Sequence, residues 1–450
     1  MDRLQKIVEN SFWLLSDKVA RLLLGIFVTA MIARYLGPRE FGIWNYAIAL
    51  TTITGALAGL GLEKVLTKAL VERHSDQRRL LGTTLVLRLI AAFLTSGVCW
   101  EFVRIFHPGE PTYLSCTMIL SAWVLLQSFD VFDSYYQARQ RVRVVMIPKT
   151  LAFLVFCGIR VWFVHRHLGL LAFTWLTVWE GLTAYGVIIA IYLRGRRSGS
   201  AESLDGTRRP NHGASVARTL LAQAWPLLFT NLSILIYMKV DQLLLDGMTD
   251  ATQLGEYVAA TRLSELWYAL PMAASTALLP ALLVQKKEAP DRYAASMERW
   301  LRLSFWTSAV LCLGVTILAE PLSRQLYGAA YPRTGLVLQI HIWASVPVFM
   351  AIVVTQHLII HSQYKATLYA GLAGTVVNIG CNLLLIPGYG SVGAAVATVL
   401  SYITVYAALV GLDRSKETLA FMGRITSPRL LYADAGFFRE RLLRSQAGHL

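Results

Sequence analysis

Long apolar segments separated by short polar connections recur along the whole sequence. A helix that crosses the hydrocarbon core of a bilayer needs roughly 20 mostly apolar residues. The alternation of apolar and polar residues that predicts strands is not sustained anywhere. The sequence therefore predicts an all-α integral membrane protein. About twelve segments predict membrane-spanning helices, at 11–34, 41–62, 80–104, 112–138, 145–164, 169–193, 218–246, 254–284, 300–320, 335–361, 366–386 and 391–412.

The composition excludes a water-soluble fold. Hydrophobic residues make up 55% of the chain and charged residues 15%, whereas a typical soluble domain has about 25% charged residues. A soluble protein could not bury so much apolar surface and still present a polar exterior. A soluble enzyme, a secreted disulfide scaffold and a disordered chain are therefore excluded. The five cysteines are dispersed and odd in number, so we expect neither a disulfide framework nor a metal site.

Basic residues alternate between connections in a way that predicts the membrane topology. The connections 139–149 and 194–218 carry four and six basic residues, whereas 246–256 carries three acids and no base. Cytoplasmic loops are enriched in Lys and Arg, so both termini of this multi-pass protein are predicted to be cytoplasmic. The net charge of +15 follows from this topology. Because the bases form no single patch, we expect no nucleic-acid partner.

A Gly/Ser/Arg-rich stretch divides the chain into two halves of six predicted helices each. Such a composition is typical of a flexible linker. The prediction is an N-terminal lobe at 1–193, a cytoplasmic linker at 194–217, a C-terminal lobe at 218–412 and a basic cytoplasmic tail at 413–450.

The two halves also share a spacing. Trp13 precedes Gly42, which opens the second helix, by 29 residues, and Trp225 precedes Gly255 in the same place of the second half by 30 residues. Six spans return the chain to the side from which it started, so the halves run in the same direction. This predicts a parallel repeat of two lobes around a central cavity, as in transporters that bind substrate between two halves.

Four motifs follow one another in a recognisable order: 33–42 (ARYLGPREFG), 255–265 (GEYVAATRLSE), 319–328 (AEPLSRQLYG), and Asn378 and Asn382 with 393–395 (GAA). Over about residues 5–412 the sequence resembles the Wzx-like oligosaccharide and O-antigen flippases of the polysaccharide transporter family. That family belongs to the multidrug/oligosaccharidyl-lipid/polysaccharide exporter superfamily.

The resemblance implies a function as well as a fold. It implies a flippase that moves undecaprenyl-diphosphate-linked oligosaccharide units from the cytoplasmic to the periplasmic leaflet of the bacterial inner membrane by alternating access. The product would serve O-antigen, capsule or exopolysaccharide synthesis. We expect membrane lipids, a polysaccharide polymerase and chain-length proteins as partners. We expect no cofactor and no catalytic residue, and the sequence contains no Walker motif for ATP hydrolysis.

Three alternatives stay open. A cation-coupled multidrug exporter of the same superfamily would have an acid-lined, aromatic cavity instead of a cationic one. A peptidoglycan-precursor flippase typically has two more C-terminal spans than the sequence predicts here. A membrane glycan polymerase or ligase would need catalytic residues in sizeable periplasmic loops, whereas the predicted periplasmic loops are mostly short.

Three cations are candidates for binding the diphosphate. Lys18 and Arg21 lie within the first predicted helix, and Arg262 lies on the eighth, where the family resemblance also implies an arginine that faces the cavity. Charge inside a membrane is costly and therefore points to function, and the guanidinium group suits phosphate oxygens. The alternative is local pairing, of Asp17 with Arg21 and of Arg262 with Glu265, with side chains that extend to the interface.

Four oxygen-bearing residues are candidates for ion coupling. Asp241 lies deep in the seventh predicted helix, Asn378 and Asn382 share one face of the eleventh, and Thr398 lies on the twelfth. Resemblance to sodium-coupled members of the superfamily implies that they form an oxygen cage for Na⁺. Coupling to H⁺ through Asp241 is the alternative, and the asparagines are also explained by interhelical hydrogen bonds.

The remaining polar residues have structural interpretations. Arg88 is expected to extend its side chain to the cytoplasmic interface. Asp130 and Asp133 are expected to form salt bridges with the basic connection 139–149, and His357 and His361 to lie on a solvated surface. Residues 63–79, with Leu66, Leu70 and Val71 opposite the basic residues, predict an amphipathic helix on the anionic inner leaflet.

Overall fold

A computed structural model describes residues 2–72, 77–197, 213–425, 427 and 430. It describes side chains from Leu23 onward within these ranges, apart from those of 196–197, 213–215 and Thr230. Most of the predicted linker (194–217) and of the predicted tail (413–450) lies outside the described residues.

The described part of the chain is built from α-helices and 3-10 turns, with no strand. This confirms the predicted all-α class. The helices are α1 Asp2–Gly59, α2 Leu62–Glu72, α3 Gln77–Phe106, α4 Pro111–Gln127, α5 Val131–Ala138, α6 Arg143–His165, α7 Leu170–Arg197, α8 Gly213–Met248, α9 Ala251–Glu265, α10 Ala269–Glu288, α11 Pro290–Tyr327, α12 Thr334–His341, α13 Ser345–Ile360, α14 Tyr364–Tyr389, α15 Ser391–Gly411 and α16 Glu417–Met422. The 3-10 turns Ser128–Asp130, Leu266–Tyr268 and Ile342–Ala344 connect α4 to α5, α9 to α10 and α12 to α13.

Eleven helical stretches of the described residues are long and apolar enough to cross a membrane. The chain is therefore a multi-pass membrane protein. Large apolar side chains that would be anomalous on a soluble surface, such as Phe93, Ile317 and Leu384, are 70–80% exposed, which is the arrangement that lipid favours.

The difference between about twelve predicted spans and eleven observed stretches lies in α1. The sequence predicts separate helices at 11–34 and 41–62, whereas α1 runs through both with a kink at Gly37. Gly37 has φ 78°, a conformation that glycine adopts without the steric cost that a β-carbon imposes. Pro38 follows it and lacks the N–H for a helical hydrogen bond, so the chain changes direction without a loop.

The chain divides into two compact units, one of Phe27–Val258 and the other of Met1–Ile26 with Ala259–Leu450. The predicted lobes at 1–193 and 218–412 stay a prediction. In the Phe27–Val258 unit, Leu62, Leu66 and Leu70 of α2 are buried in an apolar core that also contains Tyr135 and Tyr185; Val71 is exposed. The apolar face of α2 therefore packs against protein and not against a lipid leaflet, because other helices of its unit cover it.

The core of the other unit is formed by α11, α13 and α15, with buried residues of α10 and α14. Met297, Leu301, Val353 and Leu358 are nearly inaccessible there, and Phe421 of α16 packs against the same cluster. The short helix α16, which follows the last predicted span, is thus part of the packed unit.

Candidate functional site

A cluster of charged side chains lies among α3, α5, α6, α7 and the turn before α5. Lys149 Nζ is 3.2 Å from Asp130 Oδ1 and also contacts Asp133 Oδ2. The Tyr185 hydroxyl donates a hydrogen bond of 2.7 Å to Asp130 Oδ1, and Arg88 Nη2 is 3.9 Å from Asp130 Oδ2. The predicted salt bridge between these acids and the 139–149 connection is confirmed. Two acids face two bases, so the cluster has no excess positive charge for an anionic ligand.

Arg88 does not extend to the interface, and the prediction for it is wrong. It is 8% exposed, because Asp130 offers a counter-charge inside the helical unit. Neighbouring helices form a second such pair, in which Arg160 Nη2 donates a 2.6 Å hydrogen bond to Glu180 Oε2. Paired charges of this kind are a common way to keep ionised groups inside a membrane protein.

A second buried acid, Asp246, was missed by sequence reasoning, which assigned it to a polar connection. The structure places it in α8 with a fully buried side chain. Tyr113 donates a 2.8 Å hydrogen bond to Asp246 Oδ1, and His107 Nε2 lies 3.2 Å from Asp246 Oδ2. The Tyr46 ring packs edge-on against both His107 and Tyr113.

Burial lowers the pKa of His107, although the charge of Glu110 acts in the opposite direction. Burial thus favours the neutral form of His107. Since the segment after α3, α4 and α8 contribute to this cluster from distant parts of the chain, no local sequence signal indicates it.

Asp241, the predicted coupling carboxylate, is buried in the Phe27–Val258 unit at 5% exposure. The hydroxyl of Tyr257 donates a hydrogen bond to its Oδ2 atom, and the backbone N–H of Gln242 donates to Oδ1 at 2.8 Å. The Asp241 carboxylate therefore accepts two hydrogen bonds inside the unit, neither of them from a basic residue.

Asn378 and Asn382 lie in the other unit and are completely buried. The Nδ2 atom of Asn382 donates to Asn378 Oδ1 at 3.0 Å and to the Asn378 carbonyl oxygen at 2.9 Å. Their predicted common face on one helix is confirmed. Thr398 on α15 donates to the carbonyl oxygen of Ala394 at 3.0 Å. Among the described residues, Asn382 Oδ1 is a buried acceptor with no hydrogen-bond donor.

Arg262, the predicted substrate-binding arginine on α9, is partly buried. Arg262 interacts electrostatically with Tyr327 and Glu265. The Tyr327 hydroxyl donates a 2.9 Å hydrogen bond to the carbonyl oxygen of Ala259. Lys18 and Arg21 lie on the first part of α1, where the side chains are outside the described residues.

An apolar groove runs along α6 and α7. It has a volume of about 460 Å³, and its walls include Pro148, Leu151, Phe156 and Val187, with Arg143 at the start of α6. Its lining suits a hydrocarbon chain, and Arg143 contributes a positive charge.

The fold is similar to solved structures of flippases and transporters. The lipid II flippase MurJ in an inward closed conformation has a TM-score of 0.72 at 14% identity, covering 92% of this chain and 90% of that chain. An inward-facing multidrug resistance MATE family transporter of the MOP superfamily has a TM-score of 0.69 at 13% identity, covering 91% and 94%. A mutant of the Vibrio cholerae MATE transporter VcmN has a TM-score of 0.61 at 14% identity, covering 93% and 99%.

These likenesses show the fold, which this chain shares with a flippase and with transporters. None of the curated proteins matches the sequence. The family model described as "Polysaccharide biosynthesis protein" matches residues 7–284, more than half of the chain. This range contains two of the four motifs noted in the sequence, 33–42 and 255–265. The chain therefore belongs to the polysaccharide biosynthesis protein family.

Proposed function

We propose that this protein is a Wzx-like flippase of the bacterial inner membrane, with both termini in the cytoplasm. It moves undecaprenyl-diphosphate-linked oligosaccharide units from the cytoplasmic to the periplasmic leaflet by alternating access. The oligosaccharide then enters O-antigen, capsule or exopolysaccharide synthesis, in which a polymerase and chain-length proteins are the expected partners.

One combined observation carries the proposal: a chain of a polysaccharide biosynthesis family has a fold similar to that of a lipid II flippase over 92% of its length. The family supports a role in polysaccharide synthesis, and the fold supports the movement of a lipid-linked molecule. The similarity to MATE transporters makes multidrug export the alternative that the experiment must separate.

In this proposal the negatively charged diphosphate head group of the substrate crosses the membrane in contact with basic side chains of the protein. Lys18, Arg21 and Arg262 bind the diphosphate, because guanidinium and ammonium groups are the usual partners of phosphate oxygens. The partly buried position of Arg262 supports a site away from bulk water. The lipid tail stays in the hydrocarbon phase, and the groove along α6 and α7, with Arg143 in its wall, is of a kind that isoprenoid chains can occupy.

Energy for net transport comes, in this proposal, from Na⁺ or H⁺ moving down its gradient. Asp241 supplies the carboxylate, and Asn378, Asn382 and Thr398 supply neutral oxygens. Two observations support these roles: the burial of Asp241 without a basic residue in its hydrogen bonds, and the buried Asn382 Oδ1 that lacks a donor among the described residues.

The test is translocation of a labelled undecaprenyl-diphosphate oligosaccharide in proteoliposomes, with and without a Na⁺ or H⁺ gradient. We expect translocation that depends on the protein and is stimulated by one of the gradients. Arg21→Ala and Arg262→Ala should each reduce the rate at least tenfold. Arg104→Ala is the matched control, because Arg104 is 67% exposed and pairs with Glu101 at the surface.

A parallel test in cells uses complementation of a flippase-null strain at equal protein levels, with the same three variants. Full activity of Arg21→Ala and Arg262→Ala would refute the diphosphate site. Extrusion of lipophilic cations without oligosaccharide translocation would assign the chain to multidrug export.

A further inference from the structure

Two histidines and a glutamate converge at one end of the Ala259–Leu450 unit. His357 lies in the last turn of α13, His361 follows it by four residues, and Glu417 begins α16. One side-chain ligand atom of each of the three residues lies within 4.8 Å of the others. The sequence predicts that both histidines are solvated, but His357 is 0% exposed and the His361 side chain is 16% exposed. That prediction is wrong because α16 folds back over them.

Both rings turn Nε2 toward the cluster, and His357 Nε2 also hydrogen-bonds the Ser415 hydroxyl at 3.1 Å, a bond that a metal ion would replace. His361 Nδ1 donates to the carbonyl oxygen of His357 at 2.9 Å, and His357 Nδ1 lies 2.8 Å from the hydroxyl of Tyr293. Both Nε2 atoms are 3.9 Å from Glu417 Oε2. Rings that are oriented through Nδ1 and present Nε2 are typical of metal-binding histidines.

Two ligand atoms in this cluster lack a partner. Among the described residues, His361 Nε2 and Glu417 Oε2 are buried and make no hydrogen bond. Leaving a buried polar group unsatisfied destabilises a fold by about 1–3 kcal/mol, and more when the group is charged. A bound cation would satisfy both atoms at once.

Charges around the cluster are compatible with a cation. Glu417 Oε1 is 3.6 Å from Lys286 Nζ, which leaves Oε2 for another partner. Asp413 Oδ2 lies 3.5 Å from His357 Nε2. Asp413 accepts hydrogen bonds from Ser415 and Thr418 and thereby holds the turn before α16 in place.

We propose that His357, His361 and Glu417 form a binding site for a divalent transition-metal ion, with Zn²⁺ as the natural occupant. Two imidazole nitrogens and one carboxylate oxygen are a ligand set that Zn²⁺ binds tetrahedrally with a water in the fourth position. Ca²⁺ and Mg²⁺ take oxygen ligands instead. Bonds of about 2.0–2.1 Å place tetrahedral ligand atoms roughly 3.3 Å apart. The observed separations are 3.9 Å from each Nε2 to Glu417 Oε2 and at most 4.8 Å within the set, so rotations of the three side chains that shorten these distances by roughly 0.5–1.5 Å close the site.

The structural consequence of the site is a link between α13 and the segment that follows the last predicted span. A metal that binds only the folded arrangement stabilises it by mass action. The site therefore fixes α16 to the core of its unit, and its occupancy does not depend on what the protein transports.

The test measures Zn²⁺ and Co²⁺ binding to the purified full-length chain in detergent, without a polyhistidine tag and after treatment with a chelator. We expect one site per chain, a Co²⁺ absorption spectrum of tetrahedral character, and an increase in Tm on addition of Zn²⁺. His361→Ala and Glu417→Gln should each weaken Zn²⁺ binding at least tenfold and remove the Tm increase. Both residues retain some exposure, so these variants are expected to fold.

The matched control is the double variant His165→Ala/His167→Ala, which removes two exposed histidines from the other unit. It should bind Zn²⁺ as the unaltered chain does. Equal Zn²⁺ affinity of the unaltered chain, His361→Ala and Glu417→Gln would overturn the proposal. Loss of binding in the control alone would assign the metal to exposed histidines and would overturn it as well.

Discussion

Lys149 is the residue on which the charged cluster of the Phe27–Val258 unit depends most. It contacts both Asp130 and Asp133, whereas Arg88 approaches only Asp130, at 3.9 Å. Removing Lys149 leaves two acids close together with one distant base. Breaking a buried ion pair by deleting one partner is far more damaging than losing a surface pair.

We predict that Lys149→Met lowers the free energy of unfolding by about 2 kcal/mol, between the values for surface and buried pairs, because the three side chains are only partly buried. The measurement is thermal unfolding of the purified protein in detergent. Lys68→Met is the control, because Lys68 pairs with Glu72 at 3.8 Å while both side chains are more than half exposed. A Tm of Lys149→Met equal to that of the control would contradict the structural role of the cluster.

His107 predicts how the stability of the folded protein depends on pH. Burial lowers its pKa in the folded state, so the unfolded chain binds a proton more readily than the folded one. Stability from neutral His107 is therefore present above the ordinary histidine pKa of about 6.5 and is lost as the pH falls below it. The Tm of the unaltered protein should fall more steeply between pH 7.5 and pH 5 than that of His107→Gln. Parallel Tm curves for the two proteins would refute this assignment.

At the scale of elements, two glycines explain how the second half of α1 and the start of α9 approach each other. A β-carbon on Gly42 would overlap the carbonyl oxygen of Ala251, and one on Gly255 would overlap the carbonyl oxygen of Pro38. These are the two glycines that the sequence places at equivalent positions of its halves. The shared spacing thus coincides with a reciprocal close contact between backbones.

We predict that Gly255→Ala destabilises the protein by about 1–3 kcal/mol, the usual cost of overpacking a well-packed contact. The obstacle is a backbone oxygen, which cannot move aside as a side chain can. Gly97→Ala serves as the control, since a β-carbon there meets nothing within 4 Å. Comparable yields and Tm values for the two variants in detergent would show that the close contact is not required.

The helix α2 shows why an amphipathic pattern does not by itself identify its partner. Leu66 and Leu70 lie on the apolar face in both the prediction and the structure. That face packs into the core of the unit with Tyr135 and Tyr185. A pattern indicates which residues avoid water, and protein and lipid satisfy that preference equally well.

At the scale of the whole molecule, the proposed ion coupling gives the prediction that separates driven transport from passive flipping. Asp241→Asn removes the ionisable group and keeps the shape and most of the hydrogen bonds of the side chain. We predict that it abolishes stimulation by a Na⁺ or H⁺ gradient in proteoliposomes and leaves slow, gradient-independent translocation. Asp291→Asn, at an exposed position in the first turn of α11, should behave as the unaltered protein. Full gradient stimulation of Asp241→Asn would exclude Asp241 from coupling.

Much of the architecture could be predicted because it depends on local properties of the chain. The length and apolarity of each span, the face shared by Asn378 and Asn382, and the salt bridge from Lys149 to Asp130 and Asp133 all follow from short stretches of sequence or from neighbouring helices. The kink at Gly37 could not be predicted in this way, since a Gly-Pro pair is compatible both with a loop between two helices and with a bend within one.

The sequence by itself determined that this protein is embedded in a membrane and that its chain crosses the membrane many times as helices. It also determined which charged residues lie inside apolar segments. Only the tertiary structure decided which of these charges meet. His107 and Tyr113 reach Asp246 from more than a hundred residues away in sequence, and Glu417 joins His357 and His361 because α16 folds back onto α13. The physical reason is that apolarity is a property of a single segment, whereas a pair of polar side chains is defined by the packing of helices that are distant in the sequence.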